Sequence, residues 1–308
     1  MRVAAIDIGS NSTRLLVADV EHGGIDELFR RSVVTRLGDR VDETGLLGEA
    51  ACERVYAVIE DYRDQFTAAG AGAERVRGVA TSAVRDAANG DDLRREIARR
   101  CGIEIDVIDG DREAQLTFAG ASTAGSVGAG GRGVVIDIGG GSTEFIVGDD
   151  GALSFHVSTK IGAVRQSERH LHSDPPSAGE LAALLDEASG IIAAEVPEDF
   201  RRGVTRGIAV AGTPTVLASV DQQLEVFDPW KVHGYMITRA ACERLLAMLA
   251  ALPLAERREV VGLHPDRAPT IVAGAAILLA AMTAFDLPAI EVSEHDILYG
   301  LALEIAAG

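Results

Sequence analysis

The sequence predicts an α/β protein built from two related domains, and three observations carry that prediction. The chain has 308 residues, more than one ordinary core holds and suited to two domains of about 150 residues each. Short β-branched runs alternate with helical patterns along the chain, as expected of strands layered against helices. One segment also occurs twice. Ile6-Asp7-Ile8-Gly9-Ser10-Asn11-Ser12-Thr13 aligns without gaps on Ile136-Asp137-Ile138-Gly139-Gly140-Gly141-Ser142-Thr143, with six of eight positions identical.

The first copy follows the apolar run Val3 to Ile6 and precedes Leu15 to Val17, so it reads as strand, glycine-containing turn, strand. The pattern then predicts a helix over Gly48 to Ala69, a strand over Arg75 to Ala80, a helix over Asp91 to Arg100 and a strand over Ile103 to Ile108. Residues 119–132 carry no charge before Arg132 and are rich in small side chains. They mark the expected boundary between domains of 1–124 and 125–308. The second copy lies between the runs Val134 to Ile136 and Phe145 to Val147 and predicts the same hairpin. Helices over Ala178 to Val196, Arg239 to Ala251 and Ala268 to Ala284 follow, with a strand over Gly207 to Val210. Ser173-Asp174-Pro175-Pro176-Ser177 reads as a connection between helices inside the second domain. Ala211-Gly212-Thr213-Pro214 reads as a strand end and a helix start, with Thr213 as N-cap and Pro214 at the first helical position. The last helix, Ile297 to Ala306, is a candidate to pack back against the first domain.

Composition narrows the function. The 47 acidic against 29 basic residues give a net charge of −18, which argues against general affinity for nucleic acid or an anionic membrane surface, where clustered positive charge is needed. A small polyanion held by a few focused donors is not excluded by that balance. Lys160 and Lys231 are the only lysines, so the positive charge is almost all guanidinium, which suits bidentate phosphate contacts. Cys52, Cys101 and Cys242 form no metal or disulfide pattern. The apolar run Ile271 to Phe285 is shorter than the ~20 residues of a spanning helix and reads as a buried core helix. Asp7 comes too early for a secretory apolar segment, so a cytoplasmic location is expected.

The two hairpin tips are where chemistry is expected. Glycine, serine and threonine at a turn let the backbone approach an anion, with N–H groups and hydroxyls as donors. Asp7 and Asp137 open the tips; an aspartate beside phosphate is repelled unless it binds a bridging Mg²⁺ or its water shell. Two such tips facing one another would grip a phosphate chain from both sides. Glu113, in the first turn of a helix that follows a strand, would at least stabilise the helix dipole. Glu144 within the second hairpin, and Arg85 beside Asp86, are open to solvated or locally paired roles as well as to catalysis.

The pair DIGSNSTRLL and DIGGGSTE resembles the exopolyphosphatase/guanosine-pentaphosphate phosphohydrolase (Ppx/GppA) family of the actin and sugar-kinase superfamily, in its short two-domain form. Further segments match in the family's order: Ala80 to Gly90, Gly110 to Leu116, Ile161 to Arg165, Ala211-Gly212-Thr213 and Val292-Ser293-Glu294. The resemblance implies two actin-like (ribonuclease H-like) domains with an interdomain cleft, and Mg²⁺-dependent hydrolysis of a terminal phosphoanhydride. By motif, Glu113 matches the general base, Glu144 helps to place the attacking water or metal, and Arg85 matches the arginine that grips phosphate. Gly9, Ser10, Asn11, Ser12 and Thr13 form one phosphate loop, and Gly139, Gly140, Gly141, Ser142 and Thr143 the other. Asp7, Asp137 and Glu144 are the metal candidates. Lys160, Arg165 and Arg267 are weaker candidates for further phosphate contacts.

The expected substrate is inorganic polyphosphate. Short chains are expected because longer relatives carry additional C-terminal domains and this chain stops at Gly308. The nearest alternative is the same chemistry at the 5′ γ-phosphate of pppGpp. Ala211, standing where the family often has glycine, tilts against a nucleoside pocket. A non-catalytic (p)ppGpp sensor, from another class, is disfavoured by the presence of both Glu113 and Glu144, and an actin-like ATPase or sugar kinase by the extra acid of DIGGGSTE. A homodimer is an expectation of the resemblance alone.

Overall fold

A computed structural model describes residues 1–123, 127, 131–149 and 151–308. Within the expected boundary segment 119–132, positions 124–126 and 128–130 lie outside the described residues. The chain forms two compact units, Met1–Thr123 with His295–Gly308, and Ala124–Glu294.

In the first unit, β1 (Arg2–Ile8), β2 (Ser12–Glu21) and β3 (Gly24–Val34) run antiparallel, and β4 (Val76–Ala80) and β5 (Ile105–Val107) extend the sheet in parallel, in the order β3-β2-β1-β4-β5. The β2–β3 turn is the two-residue pair His22-Gly23, both with positive φ, the geometry that matches strand twist in a tight hairpin. Because β1 is central, both its faces are covered, and alternation sorts its side chains. Ala4, Ile6 and Ile8 pack with Val55, Ile59 and Tyr62 of the helix Glu49–Ala68. Val3 and Ala5 face the other way and pack with Leu298, Leu301 and Ala302 of the helix Ile297–Ala307. Asp7, two residues beyond Ala5, shares that second face.

The sequence division counts the last helix within 125–308, whereas residues His295–Gly308 belong to the first unit. Two glycines account for how closely this helix lies on the helix Gly110–Ser122. A Cβ built on Gly120 would fall 1.9 Å from the Asp296 carbonyl oxygen, and one on Gly300 would fall 1.9 Å from that of Leu116. Both obstacles are backbone, so only glycine fits at the crossing.

In the second unit, β6 (Arg132–Ile138), β7 (Thr143–Asp149), β8 (Ala152–Thr159), β9 (Val204–Val210), β10 (Met236–Thr238) and β11 (Ala289–Val292) form a sheet in the order β10-β11-β9-β6-β7-β8. Read from β8, it repeats the first unit's order of three antiparallel strands followed by two parallel ones, with β10 added antiparallel at the edge. Both units therefore have the sheet of an actin-like domain. The helix Ile271–Ala284 is buried nearly all round and packs on the helices Ala178–Glu195 and Arg239–Ala251, which is why its sequence shows little amphipathic bias. Among the described residues no helix is long and apolar enough to cross a membrane.

Candidate active site

In both units the repeated segment closes a tight tip, with the Gly9 N–H donating to the Ser12 carbonyl and the Gly139 N–H to that of Ser142, each at 3.0 Å. The tip carbonyls are then occupied from behind. Ser10 O accepts from the Gly38 N–H at 2.7 Å, and Asn11 O from those of Thr35 and Arg36 at 3.0 Å. In the second tip, Gly139 O accepts from the Ala163 N–H at 2.9 Å and Gly140 O from those of Val164 and Arg165 at 2.8 and 3.2 Å. The Arg165 Nε–H donates to Gly141 O at 2.8 Å. Gly162 lets the helix Ala163–His170 start this close, since a Cβ there would lie 2.3 Å from Gly140 O. The N–H groups of Ser10, Asn11, Gly140 and Gly141 donate to no protein acceptor among the described residues. A turn with bonded carbonyls and uncommitted N–H groups is a concavity for anions.

Thr13 and Thr143 play a different part from the rest of the loops. Both are fully buried; the Thr13 hydroxyl pairs with that of Thr35, and the Thr143 hydroxyl donates to Ile161 O. They brace the tips from inside. Ser10 Oγ lies 3.1 Å from Ser82 Oγ and ties the first tip to the helix Ser82–Asp86, which carries Arg85.

One position separates the two copies chemically. The β6–β7 register sets Asp137 opposite Glu144, and both are buried. In the first unit the register sets Asp7 opposite Arg14. Arg14 donates from Nε and Nη2 to Asp7 Oδ2 at 2.9 and 2.6 Å, and from Nη1 to Asp296 Oδ2. Burial holds the Asp7 carboxyl above its usual range, against the pull of Arg14. Burial also acts on Asp296, but Arg14, Arg30 and the Leu298 N–H together bring it below that range. Asp7, expected among the metal candidates, thus has its charge compensated by a guanidinium. In the second unit the corresponding row sets two acids opposite each other, an arrangement that is unfavourable unless compensated. Paired carboxylates are a donor type that suits a small hard cation. No cluster of three acidic, histidine or cysteine side chains suited to a metal occurs among the described residues.

Arg85 and Glu113 meet within the first unit. Arg85 Nη1 donates to Ile108 O at 2.8 Å and to Glu113 Oε2 at 3.3 Å. The local Arg85–Asp86 pair considered from sequence is replaced by this longer-range contact. Glu113 is buried in the first turn of its helix, with Asp109 as N-cap.

The turn at 211–213 differs from expectation. The helix runs from Gly212 to Asp221 with Ala211 as N-cap, so Thr213 and Pro214 lie inside its first turn. Ala211 has φ 74° and ψ −171°, a region populated essentially by glycine. Ala211→Gly is expected to stabilise the protein by about 1 kcal/mol, the relieved strain exceeding the added unfolded-state entropy, measured by chemical denaturation. Arg267 lies against this turn, as a Cβ on Gly212 would fall 2.7 Å from its Nη1. Lys160 is exposed. Burial pulls the Arg165 guanidinium below its usual range. His170 Nε2 contacts Glu187.

Sequence reasoning missed Asp296 and Ser158. Asp296 carries a readable signal, an aspartate just before the apolar run from Ile297, and it caps that helix through the Leu298 N–H at 3.0 Å. Ser158 donates to Glu144 Oε1 at 2.6 Å; only the β7–β8 register reveals it.

The Ppx/GppA phosphatase family model matches residues 16–306. The chain is 37% identical to exopolyphosphatase 2 of Mycobacterium tuberculosis, over 99% of this chain and 98% of that protein. It is 30% identical to exopolyphosphatase 1 of Mycobacterium bovis, over 98% and 88%. The solved structure of an exopolyphosphatase from Cytophaga hutchinsonii aligns with a TM-score of 0.90 at 26% identity, covering 100% of this chain and 98% of that one. With the repeated loops, the actin-like sheets and these full-length similarities together, the chain belongs to the Ppx/GppA phosphatase family.

Proposed function

We propose that this protein is an exopolyphosphatase that removes the terminal phosphate of inorganic polyphosphate. The observation that carries the reading is the contrast between two copies of one loop. Both tips offer uncommitted N–H groups to anions, but only the second sets two buried carboxylates opposite each other. That combination suits a phosphate chain and a divalent cation held together.

In this reading Gly140, Gly141 and Ser142 of one loop, and Ser10, Asn11 and Ser12 of the other, bind phosphate oxygens. Asp137 and Glu144 hold Mg²⁺, which when bound neutralises charge on the transferring phosphoryl group; the role expected for Asp7 passes to orienting Arg14. Glu113 accepts a proton from the attacking water as its oxygen bonds to the terminal phosphorus. The bond from phosphorus to the bridging oxygen breaks, and the shortened chain leaves with that electron pair. Catalysis of this kind is mostly positioning and charge stabilisation. Arg85, anchored by Ile108 O, has further N–H donors for the terminal phosphate.

Polyphosphate is preferred over pppGpp because the full-length relatives at 37% and 30% identity are named exopolyphosphatases. The test is orthophosphate release from short polyphosphate, long polyphosphate, pppGpp and ATP, with Mg²⁺ and with a chelator. Release from polyphosphate, abolished by chelation and restored by Mg²⁺, is expected. Preference for pppGpp would replace the substrate and keep the chemistry; tight (p)ppGpp binding without turnover of any substrate would replace the enzyme with a sensor.

A further inference from the structure

Each hairpin continues into a third strand, and the register there extends the comparison of the two copies by one residue. In the first unit Asp7, Arg14 and Ser32 stand opposite one another across β1, β2 and β3. In the second, Asp137, Glu144 and Ser158 do so across β6, β7 and β8. The repeat thus presents the same three-strand row twice, Asp-X-Ser, with X basic in one copy and acidic in the other.

The two serines are placed differently. Ser32 is exposed beside a guanidinium that is already bonded to Asp7 and Asp296. Ser158 is half-buried, and its hydroxyl donates to Glu144 Oε1 at 2.6 Å. A hydroxyl has one proton to give, and here it goes to a carboxylate that is 1% exposed. Such a charge-assisted bond is short and roughly twice as strong as a neutral one. Glutamate has three side-chain torsions, the last of which is broad and nearly free; a strand alone does not determine where its oxygens lie. Ser158 fixes one of them from the neighbouring strand. A productive constellation must hold its groups to within about half an ångström, which takes supporting hydrogen bonds beyond the reacting groups themselves.

We propose that Ser158 is a positioning residue for hydrolysis, setting the orientation of the Glu144 carboxylate opposite Asp137. This rests on the reading that Glu144 takes part in the reaction. Ser158 touches neither substrate nor water in this assignment; it acts through Glu144.

The test uses the full chain in four forms: Ser158→Ala, Ser158→Thr, Ser32→Ala and Glu144→Gln. Threonine keeps the hydroxyl and suits a strand position. Ser158→Ala is expected to lower kcat for polyphosphate by about 10-fold or more while KM stays within about 2-fold, the loss corresponding to one hydrogen bond to a charged group. Ser158→Thr should restore most of it, and Ser32→Ala should behave as wild type. A crystal structure of Ser158→Ala supplies a readout that does not depend on turnover: the Glu144 carboxylate should leave its wild-type orientation. Wild-type kcat in Ser158→Ala with Glu144 unmoved, while Glu144→Gln is impaired, overturns the assignment of Ser158 alone. Full turnover in Glu144→Gln overturns the role of Glu144 on which it rests. Loss in Ser158→Ala that Ser158→Thr fails to restore, with Glu144 unmoved, makes the serine merely structural.

Discussion

Glu113→Gln is expected to lose about 10²- to 10⁴-fold in polyphosphate turnover, the usual contribution of a positioned general base. Glutamine has nearly the same shape, and its carbonyl oxygen can still accept the hydrogen bond that Arg85 Nη1 gives Glu113 Oε2 at 3.3 Å. Arg85 also keeps its bond to Ile108 O, so the groups that hold phosphate stay in place and KM should change little. What glutamine lacks is the ability to take a proton from water. The loss should therefore fall on kcat, which phosphate-release kinetics at saturating substrate reads directly. A thermal melt of the same sample checks the fold. The first-turn position favours an anion by only about 0.3–1 kcal/mol, so the melting temperature should shift by a few degrees at most for a domain of this size. Unchanged turnover would move the base elsewhere, with Glu144 the next candidate.

How much of this was legible in the sequence differs by level. The repeat predicts both hairpins because a glycine-containing tip between β-branched runs is local chemistry, read from adjacent residues. The buried helix near Ile271 is equally local, although it starts three residues later than expected, after the short turn Pro265–Arg267. The strands β3, β8, β10 and β11 left weaker signals. β3 lies at the edge of its sheet with half its positions solvent-facing, and alternates no clean apolar face; β10 and β11 are three and four residues long. Site residues follow the same division. Those within the loops carry their own motif. The partnerships Arg14–Asp296 and Arg85–Glu113 join residues 282 and 28 positions apart, and Ser158–Glu144 depends on strand register, so none has a local signature. Ala211 is a third kind of failure: its substitution for glycine was visible, but the backbone conformation it must hold was not.

Arg14→Leu is expected to destabilise the protein strongly. The Arg14 guanidinium stands between two buried carboxylates, whose side chains are 7% and 3% exposed, and it donates to both. Removing one partner of a buried ion pair costs about 3–5 kcal/mol because the charge left behind cannot return to water; here two charges are left. The sign of the pH dependence follows from Asp7, whose carboxyl burial already holds above its unfolded value. A carboxyl raised on folding binds its proton more tightly in the native state, so stability falls as pH rises from about 3.9, the ordinary aspartate value, through the raised one. Without Arg14 nothing opposes the burial of Asp7, and this slope should steepen: the deficit of Arg14→Leu relative to wild type should be smaller at pH 5 than at pH 7.5. Chemical denaturation at the two pH values measures it, and a deficit below about 1 kcal/mol at both would show that the pair is worth no more than a surface one. Adding Asp7→Asn should recover part of the loss.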